Sequence, residues 1–186
     1  MRLKVNPEID AYNISALYKT ALTNGHKLEY AEGSAVSKLL ECINGVEAAN
    51  GYNNESLIAM VDPVLYNLLM TSPELQRSIT VSEFKQGDID LKVKNLNGCT
   101  IIPVAAERIR GEYEITENGF APASDAANVR AIVMPKGAAS FVKKVDKVDM
   151  YSPSEVQDLD AYKINFRLYY DLIVKTSQKN TIYAIG

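Results

Sequence analysis

The stretch Ser56-Leu57-Ile58-Ala59-Met60-Val61-Asp62-Pro63-Val64-Leu65-Tyr66-Asn67-Leu68-Leu69-Met70-Thr71-Ser72-Pro73 contains a complete strand–helix unit. Ser56 to Val61 is short and almost continuously apolar, which predicts a buried strand. Asp62-Pro63 follows at once. The aspartate can accept from the free amides of a first helical turn, and the proline is pre-set for that turn. Val64, Leu65, Leu68 and Leu69 then make the inward face of a short helix. Ser72-Pro73 ends it, because a residue before proline is pushed out of the helical region. Pro73 to Ile79 predicts a further helical turn or two.

Upstream the pattern is helical. Asn6-Pro7-Glu8 reads as a cap, a first-turn proline and an acid near the helix start. Ile14, Leu17, Tyr18, Ala21 and Leu22 repeat at the spacing of one buried face, and Asn24-Gly25 supplies a left-handed stop. A second helix begins near Ser34 with Val36, Leu39, Leu40, Ile43 and Val46 on its stripe, and ends at Asn50-Gly51.

Downstream the pattern turns to strands. Leu91, Val93 and Asn95 share one face of an extended segment, Asn97-Gly98 makes a two-residue connection, and Cys99 to Val104 returns. Asn-Gly between apolar runs predicts a hairpin, since both corner residues of a type I′ turn need positive φ. Pro103 cannot donate a ladder bond, so this arm should lie at an edge or end there. Residues 111–128 predict an exposed loop with at most a short hairpin. Val129 to Met134 is a strand broken by Pro135-Lys136-Gly137, and Ala138 to Met150 resumes extended, with Phe141, Val142, Val145 and Val148 apolar and Lys143, Lys144 and Lys147 outward. From Tyr162, apolar Ile164, Phe166, Leu168, Tyr170 and Leu172 alternate with Lys163, Asn165, Arg167, Tyr169 and Asp171. That period of two predicts a long half-buried strand over 162–174. Thr181 to Ile185 is a final strand.

The 186 residues suit one domain or two interleaved lobes, and 47% apolar with 23% charged residues excludes disorder or a coiled-coil rod. The 20 basic and 23 acidic side chains leave a net charge of −3, which removes the simplest polyanion-binding argument. Residues 129–186 alone hold 9 basic and 6 acidic side chains, an excess that an ordinary solvated strand face also shows. No apolar run approaches the roughly 20 residues that cross a bilayer, and no export signal follows Met1, so no membrane partner is expected. Cys42 and Cys99 lack metal-ligand spacing and read as reduced, buried small hydrophobes. Asn13 and Asn54 open glycosylation patterns that an unexported chain never uses.

No reaction is evident. His26 is the one histidine, in the turn Asn24-Gly25-His26-Lys27, without a nucleophile elbow to serve. Asp88 and Asp90 alternate on a strand entry, but Val93 and Cys99 stand where a calcium loop needs glycine and glutamate. Glu112 and Glu114 lie in loop-like sequence, and no phosphate-cradling glycine motif occurs. Catalytic residues, cofactor ligands and metal ligands are therefore all expected to be absent. The surface is more informative. Of eleven tyrosines, Tyr162, Tyr169 and Tyr170 lie on one long strand and provide amphipathic contact area, with Arg167 beside them.

Several stretches, in order, resemble the tailed-bacteriophage major capsid proteins. They are Val5-Asn-Pro-Glu-Ile-Asp-Ala-Tyr12, Val61-Asp-Pro-Val-Leu-Tyr-Asn-Leu-Leu-Met-Thr-Ser-Pro-Glu-Leu75, Val93-Lys-Asn-Leu-Asn-Gly-Cys-Thr-Ile-Ile-Pro-Val104, Gly119-Phe-Ala-Pro-Ala123, Ile132-Val-Met-Pro-Lys-Gly-Ala138 and Asp158-Leu-Asp-Ala-Tyr-Lys-Ile-Asn-Phe-Arg-Leu-Tyr-Tyr-Asp171. The resemblance covers nearly the whole chain and implies a phage or prophage shell subunit of the Hong Kong ninety-seven type. It implies an α+β fold with mixed and antiparallel sheets flanked by helices. Residues 1–33 would be the spine helix of a peripheral lobe, 34–129 an axial lobe, 130–175 the long peripheral strands, and 176–186 a final strand returning to the axial lobe. It further implies a non-enzymatic structural protein whose partners are copies of itself, in pentamers and hexamers around DNA touched weakly and without sequence preference. Such a protein would lie in the virion capsid, and in the bacterial host cytoplasm before assembly. The family carries an N-terminal arm and an extended loop before the spine helix, whereas here Pro7 follows six residues; a shortened N-terminus is expected. No cross-linking lysine or asparagine is carried over. An encapsulin-like compartment shell is the alternative within the fold. A stand-alone nucleic-acid or protein binding module, using the lysines of 136–147, is the alternative outside it.

Overall fold

The structure is a computed structural model that describes residues 5–51, 56–72, 79–86, 89–116, 119–155 and 160–186, with the side chains of 32, 79–94, 115 and 146 outside that description. It divides into two compact units, Met1–Ala138 with Val174–Gly186, and Ala139–Ile173.

The first unit opens with α1 (Val5–Thr23), which buries Ile9, Ala11, Ile14, Leu17, Tyr18 and Ala21. Two details differ from expectation. Asn6 lies inside the first turn instead of capping it, and Pro7 is accommodated there because first-turn amides have no intrahelical partner. Leu22 is 52% exposed, since the buried stripe ends on Ala21. Past the helix, Gly25 takes φ +72°. Gly25 N–H donates to Leu22 O and His26 N–H to Ala21 O, the paired closing bonds of a left-handed C-terminal cap.

The short strand β1 (Lys27–Leu28) leads through a single 3₁₀ turn to α2 (Ala35–Ala49), whose Leu39, Cys42, Ile43 and Val46 are fully buried. Then come β2 (Leu57–Val61) and α3 (Pro63–Thr71). Asp62 caps α3 as its sequence predicts: Oδ1 accepts from Leu65 N–H at 2.8 Å. Leu65 and Leu69 are buried, but Val64 is 47% exposed, because a short helix of this kind covers the core with one narrow stripe. Of the helical turns expected over 73–79, residues 73–78 lie outside the description, and Ile79 opens a strand instead.

That strand, β3 (Ile79–Gln86), pairs antiparallel with β4 (Ile89–Leu96). The predicted hairpin joins β4 to β5 (Cys99–Pro103), with Asn97 at φ +48° and Gly98 at φ +77°. Within 111–128 one short hairpin forms, β6 (Tyr113–Thr116) with β7 (Gly119–Pro122). The strand expected at 129–134 runs as β8 (Ala131–Pro135). The second unit holds β9 (Ala139–Tyr151) and β10 (Lys163–Val174). A 3₁₀ turn then leads to β11 (Tyr183–Ile185), shorter than the strand expected over 181–185.

Seven strands form one mixed sheet in the order β1-β11-β8-β2-β5-β4-β3. β2 is parallel to β5 and antiparallel to β8, so it is hydrogen-bonded on both edges. This central place explains the continuous apolar run of Leu57–Val61. Pro103 ends β5 although the strand is interior, and Val104 N–H supplies the next bond to Val61 O. The chain is thus an α+β protein, with α1 and α2 packed against the β8 and β11 side.

One junction ties this sheet together. Asp62 Oδ2 accepts from Arg130 Nη1, Asp62 N–H donates to Arg130 O, and Arg130 N–H donates to Ile185 O. The Arg130 guanidinium lies 4.8 Å from the centre of the Tyr30 ring. Asp62 is 4% exposed, so removing Arg130 strands a carboxylate with little water, and removing Asp62 leaves a half-buried guanidinium without its partner. Asp62→Ala should cost about 3 kcal/mol through the lost cap and the orphaned guanidinium, read as a lowered midpoint in urea with the slope unchanged.

A second close contact lies on α2. A Cβ on Gly45 would stand 2.8 Å from Tyr183 Cε1, and Tyr183 is stacked on His26 at 4.3 Å and 10°. Mid-helix Gly→Ala ordinarily stabilises by up to about 1 kcal/mol, but overpacking costs about 1–3. Gly45→Ala is therefore expected to lower the thermal midpoint, and Gly45→Ala with Tyr183→Leu should recover much of the loss.

Candidate functional site

The residues singled out for chemistry are dispersed. His26 stacks on Tyr183 and its carbonyl accepts from Ala184 N–H, a structural post between β1 and β11. Glu112 pairs with Lys19 of α1 at 2.7 Å, while Glu114 sits on β6. Asp88 lies outside the described residues, and Asp90 stands opposite Lys85 in the β3–β4 register. Among the described residues no three His, Cys, Asp or Glu side chains are placed to hold one metal ion. The loop before β6 is anchored on α1: Ser15 Oγ donates to Gly111 O, and Asp10 pairs with Arg108 at 3.0 Å.

Cys42 and Cys99 are free and buried in the core beside Leu39, Val46 and Ile101. Burial pushes both thiols up to about 12. Neither is a nucleophile at neutral pH.

The surface behaves differently. Among the described residues fourteen large hydrophobic side chains are exposed, and ten of them belong to residues 139–173: Phe141, Val142, Val148, Met150, Tyr151, Tyr162, Ile164, Phe166, Tyr169 and Ile173. Among the described residues β9 and β10 form a two-stranded sheet of their own. The Phe141 and Tyr170 rings meet at 5.9 Å, which puts them on one face. Strand alternation then adds Val145, Phe166, Leu168 and Leu172 to that face. The other face carries Val142, Val148, Met150, Tyr169 and Ile173. The strand expected at 162–174 is present, but it is not half-buried. Ile164 is 62% exposed and the half-covered positions start only at Leu168, because within this unit the two strands have no second layer of their own.

Of the tyrosines proposed as contact area, Tyr162 and Tyr169 are 70% and 57% exposed, whereas Tyr170 is partly covered beside Phe141. Lys143, Lys144 and Lys147 are outward as expected, with Lys147 bonded to Asp149 at 2.9 Å, but Val142 and Val148 are outward as well. Beyond β9, Glu155 accepts from both Ser152 N–H and Ser152 Oγ, and these bonds hold its carboxyl below the usual range. Together with Glu155 N–H donating to Ser152 O, they close a turn after β9. The positive excess of the C-terminal third is not located here: residues 139–173 hold 5 basic and 6 acidic side chains. Arg130, Lys136, Lys175 and Lys179, outside the hairpin, supply it.

No family model and no curated protein matches this chain. Among solved structures the chain is similar to the asymmetric unit of the bacteriophage PhiM1 mature capsid, at 15% identity and a TM-score of 0.48. The match covers 86% of this chain and 50% of that one, so the chain spans about half the length of the capsid chain it matches.

The buried thiols generate a prediction. In the folded protein Cys42 and Cys99 should react with a thiol reagent at pH 8 at least about a hundredfold more slowly than in urea. Because their folded values lie above the unfolded 9.0, the folded state holds these protons more tightly. Stability should be unaffected by them below pH 9 and fall as the pH climbs from 9 towards 12, measured by urea unfolding across that window.

Proposed function

We propose that this protein is a structural subunit of a phage or prophage capsid shell, acting by association with copies of itself and not by catalysis. The observation that carries the reading is the 139–173 hairpin, with apolar side chains open on both faces. An isolated two-stranded hairpin is marginal in water, and apolar patches this extensive mark interaction sites. Its near-balanced charge suits a second copy carrying both signs better than a polyanion. The sequence resemblance supports the same reading and assigns 1–33 and 130–175 to a peripheral lobe and 34–129 with 176–186 to an axial lobe, in a Hong Kong ninety-seven-type fold.

In this reading subunit edges meet in pentamers and hexamers, and the closed shell encloses DNA that it touches weakly. The virion capsid is its destination, reached from the host cytoplasm. Each contact is modest and symmetry repeats it, so an interface of about 800 Å² per partner suffices.

The test is sedimentation velocity with negative-stain electron microscopy. The protein should form rings or particles. Tyr169→Ala with Arg167→Ala should shift it towards monomer, each central contact being worth about 2 kcal/mol, with unchanged circular dichroism. Unaltered assembly in that variant would overturn the role of the hairpin. A persistent monomer binding one nucleic acid with steep salt dependence would establish the binding-module reading instead. Particles that package a protein cargo would establish an encapsulin-like shell.

A further inference from the structure

The sequence contains five Asn-Gly pairs, Asn24-Gly25, Asn44-Gly45, Asn50-Gly51, Asn97-Gly98 and Asn118-Gly119. Such a pair can rearrange by itself when the glycine amide nitrogen reaches the asparagine side-chain carbonyl carbon, and glycine imposes no side chain against that approach. A hydrogen-bonded amide inside a helix or cap cannot do this without local opening. The described pairs differ sharply in that respect. Gly25 N–H donates to Leu22 O, and Gly51 N–H donates to Ala48 O. Gly45 lies inside α2, where backbone amides are held by the helix and Tyr183 crowds its Cα at 2.8 Å from any Cβ. Asn118 lies outside the described residues.

Asn97-Gly98 has none of these restraints. Both residues are exposed, and both have positive φ, at +48° and +77°. In a two-residue type I′ turn the ladder bonds run between the flanking residues, here Leu96 and Cys99, and the amide between the corner residues faces solvent. No backbone bond from Gly98 N–H is made among the described residues.

We propose that Asn97 is a self-modification site, the one of these four described asparagines that deamidates in the folded protein. The Gly98 nitrogen loses its proton to solvent base and bonds to Asn97 Cγ. The Cγ–Nδ2 bond breaks, and ammonia leaves with a proton from water. The resulting five-membered imide is opened by water at either carbonyl, giving aspartate or isoaspartate at position 97. No redox partner is required. The product adds one negative charge, and the isoaspartate form lengthens the main chain by one carbon inside the turn that sets Leu96 opposite Cys99. The reaction thus targets the joint on which the β4–β5 register depends.

The test is peptide mapping by mass spectrometry after days in mildly alkaline buffer, with isoaspartate detected by enzymatic methylation. The folded protein should gain about one dalton at Asn97 at a rate tenfold or more above Asn24, Asn44 and Asn50, and the four rates should converge in urea. Asn97→Gly, which keeps positive φ at the turn, should abolish isoaspartate in the peptide starting at Asn95 while leaving the circular dichroism unchanged. Equal rates at the four sites in the folded protein, or an unmodified Asn97 while Asn24 or Asn50 reacts, would overturn the proposal.

Discussion

The sheet depends on a single buried carboxylate. Asp62 stands where β2 ends and α3 begins, and its two oxygens do separate work: one closes the helix terminus on Leu65 N–H, the other holds Arg130. Arg130 in turn carries the backbone bonds that align the entry to β8 with β2 and with the end of β11. A carboxylate with 4% exposure is costly unless both oxygens are satisfied, and here both are. The three strands at the centre therefore meet in one register, and the core cluster from Leu39 and Ile43 to Ile101 and Val133 fills behind them.

The two units rest on different physics. In the first, helices and sheet bury Leu, Ile and Val side chains completely, and burial of each at about 1.5–3 kcal/mol outweighs the ordering of the chain around it. In the second, the cross-strand bonds of β9 and β10 and the Phe141–Tyr170 ring contact are set against exposed Met150, Ile164 and Ile173. Such a hairpin has little net stability of its own to lose on meeting a partner, and much apolar surface to gain by it.

What could be read from the sequence was local. The Ser56–Pro73 unit was legible because strand, cap and proline lie within one short window, and Asn97-Gly98 because its turn geometry is demanded by residue type. Arg130 was not legible. It lies 68 positions from Asp62, and nothing near it signals a buried charge partner. The close approach of Gly45 to Tyr183 was hidden for the same reason, since a glycine within an apolar stripe reads only as a weak helix former. β3 was missed because Ser72-Pro73 invited a helical continuation that Ile79 does not follow. In β10 the alternation correctly named a strand. Periodicity, however, records which side chains are apolar and not whether a second layer covers them, so half-burial did not follow.

The same hairpin shows why its exposed surface need not lead to indiscriminate aggregation. Long, flat, hydrophobic strand edges recruit any passing strand, and lysines along an edge oppose this. β9 interrupts its apolar positions with Lys143, Lys144 and Lys147, and β10 does so with Lys163, Arg167 and Asp171. A strand laid against either edge in the wrong register meets like charges or leaves a charge against apolar surface. Each mismatch costs more than a single apolar contact returns. Only a partner presenting apolar groups and both signs of charge at matching intervals avoids those penalties, and a second hairpin of this sequence carries that set. On the proposed reading, apolar area supplies the drive to associate and the spacing of the charges selects a second copy as the partner.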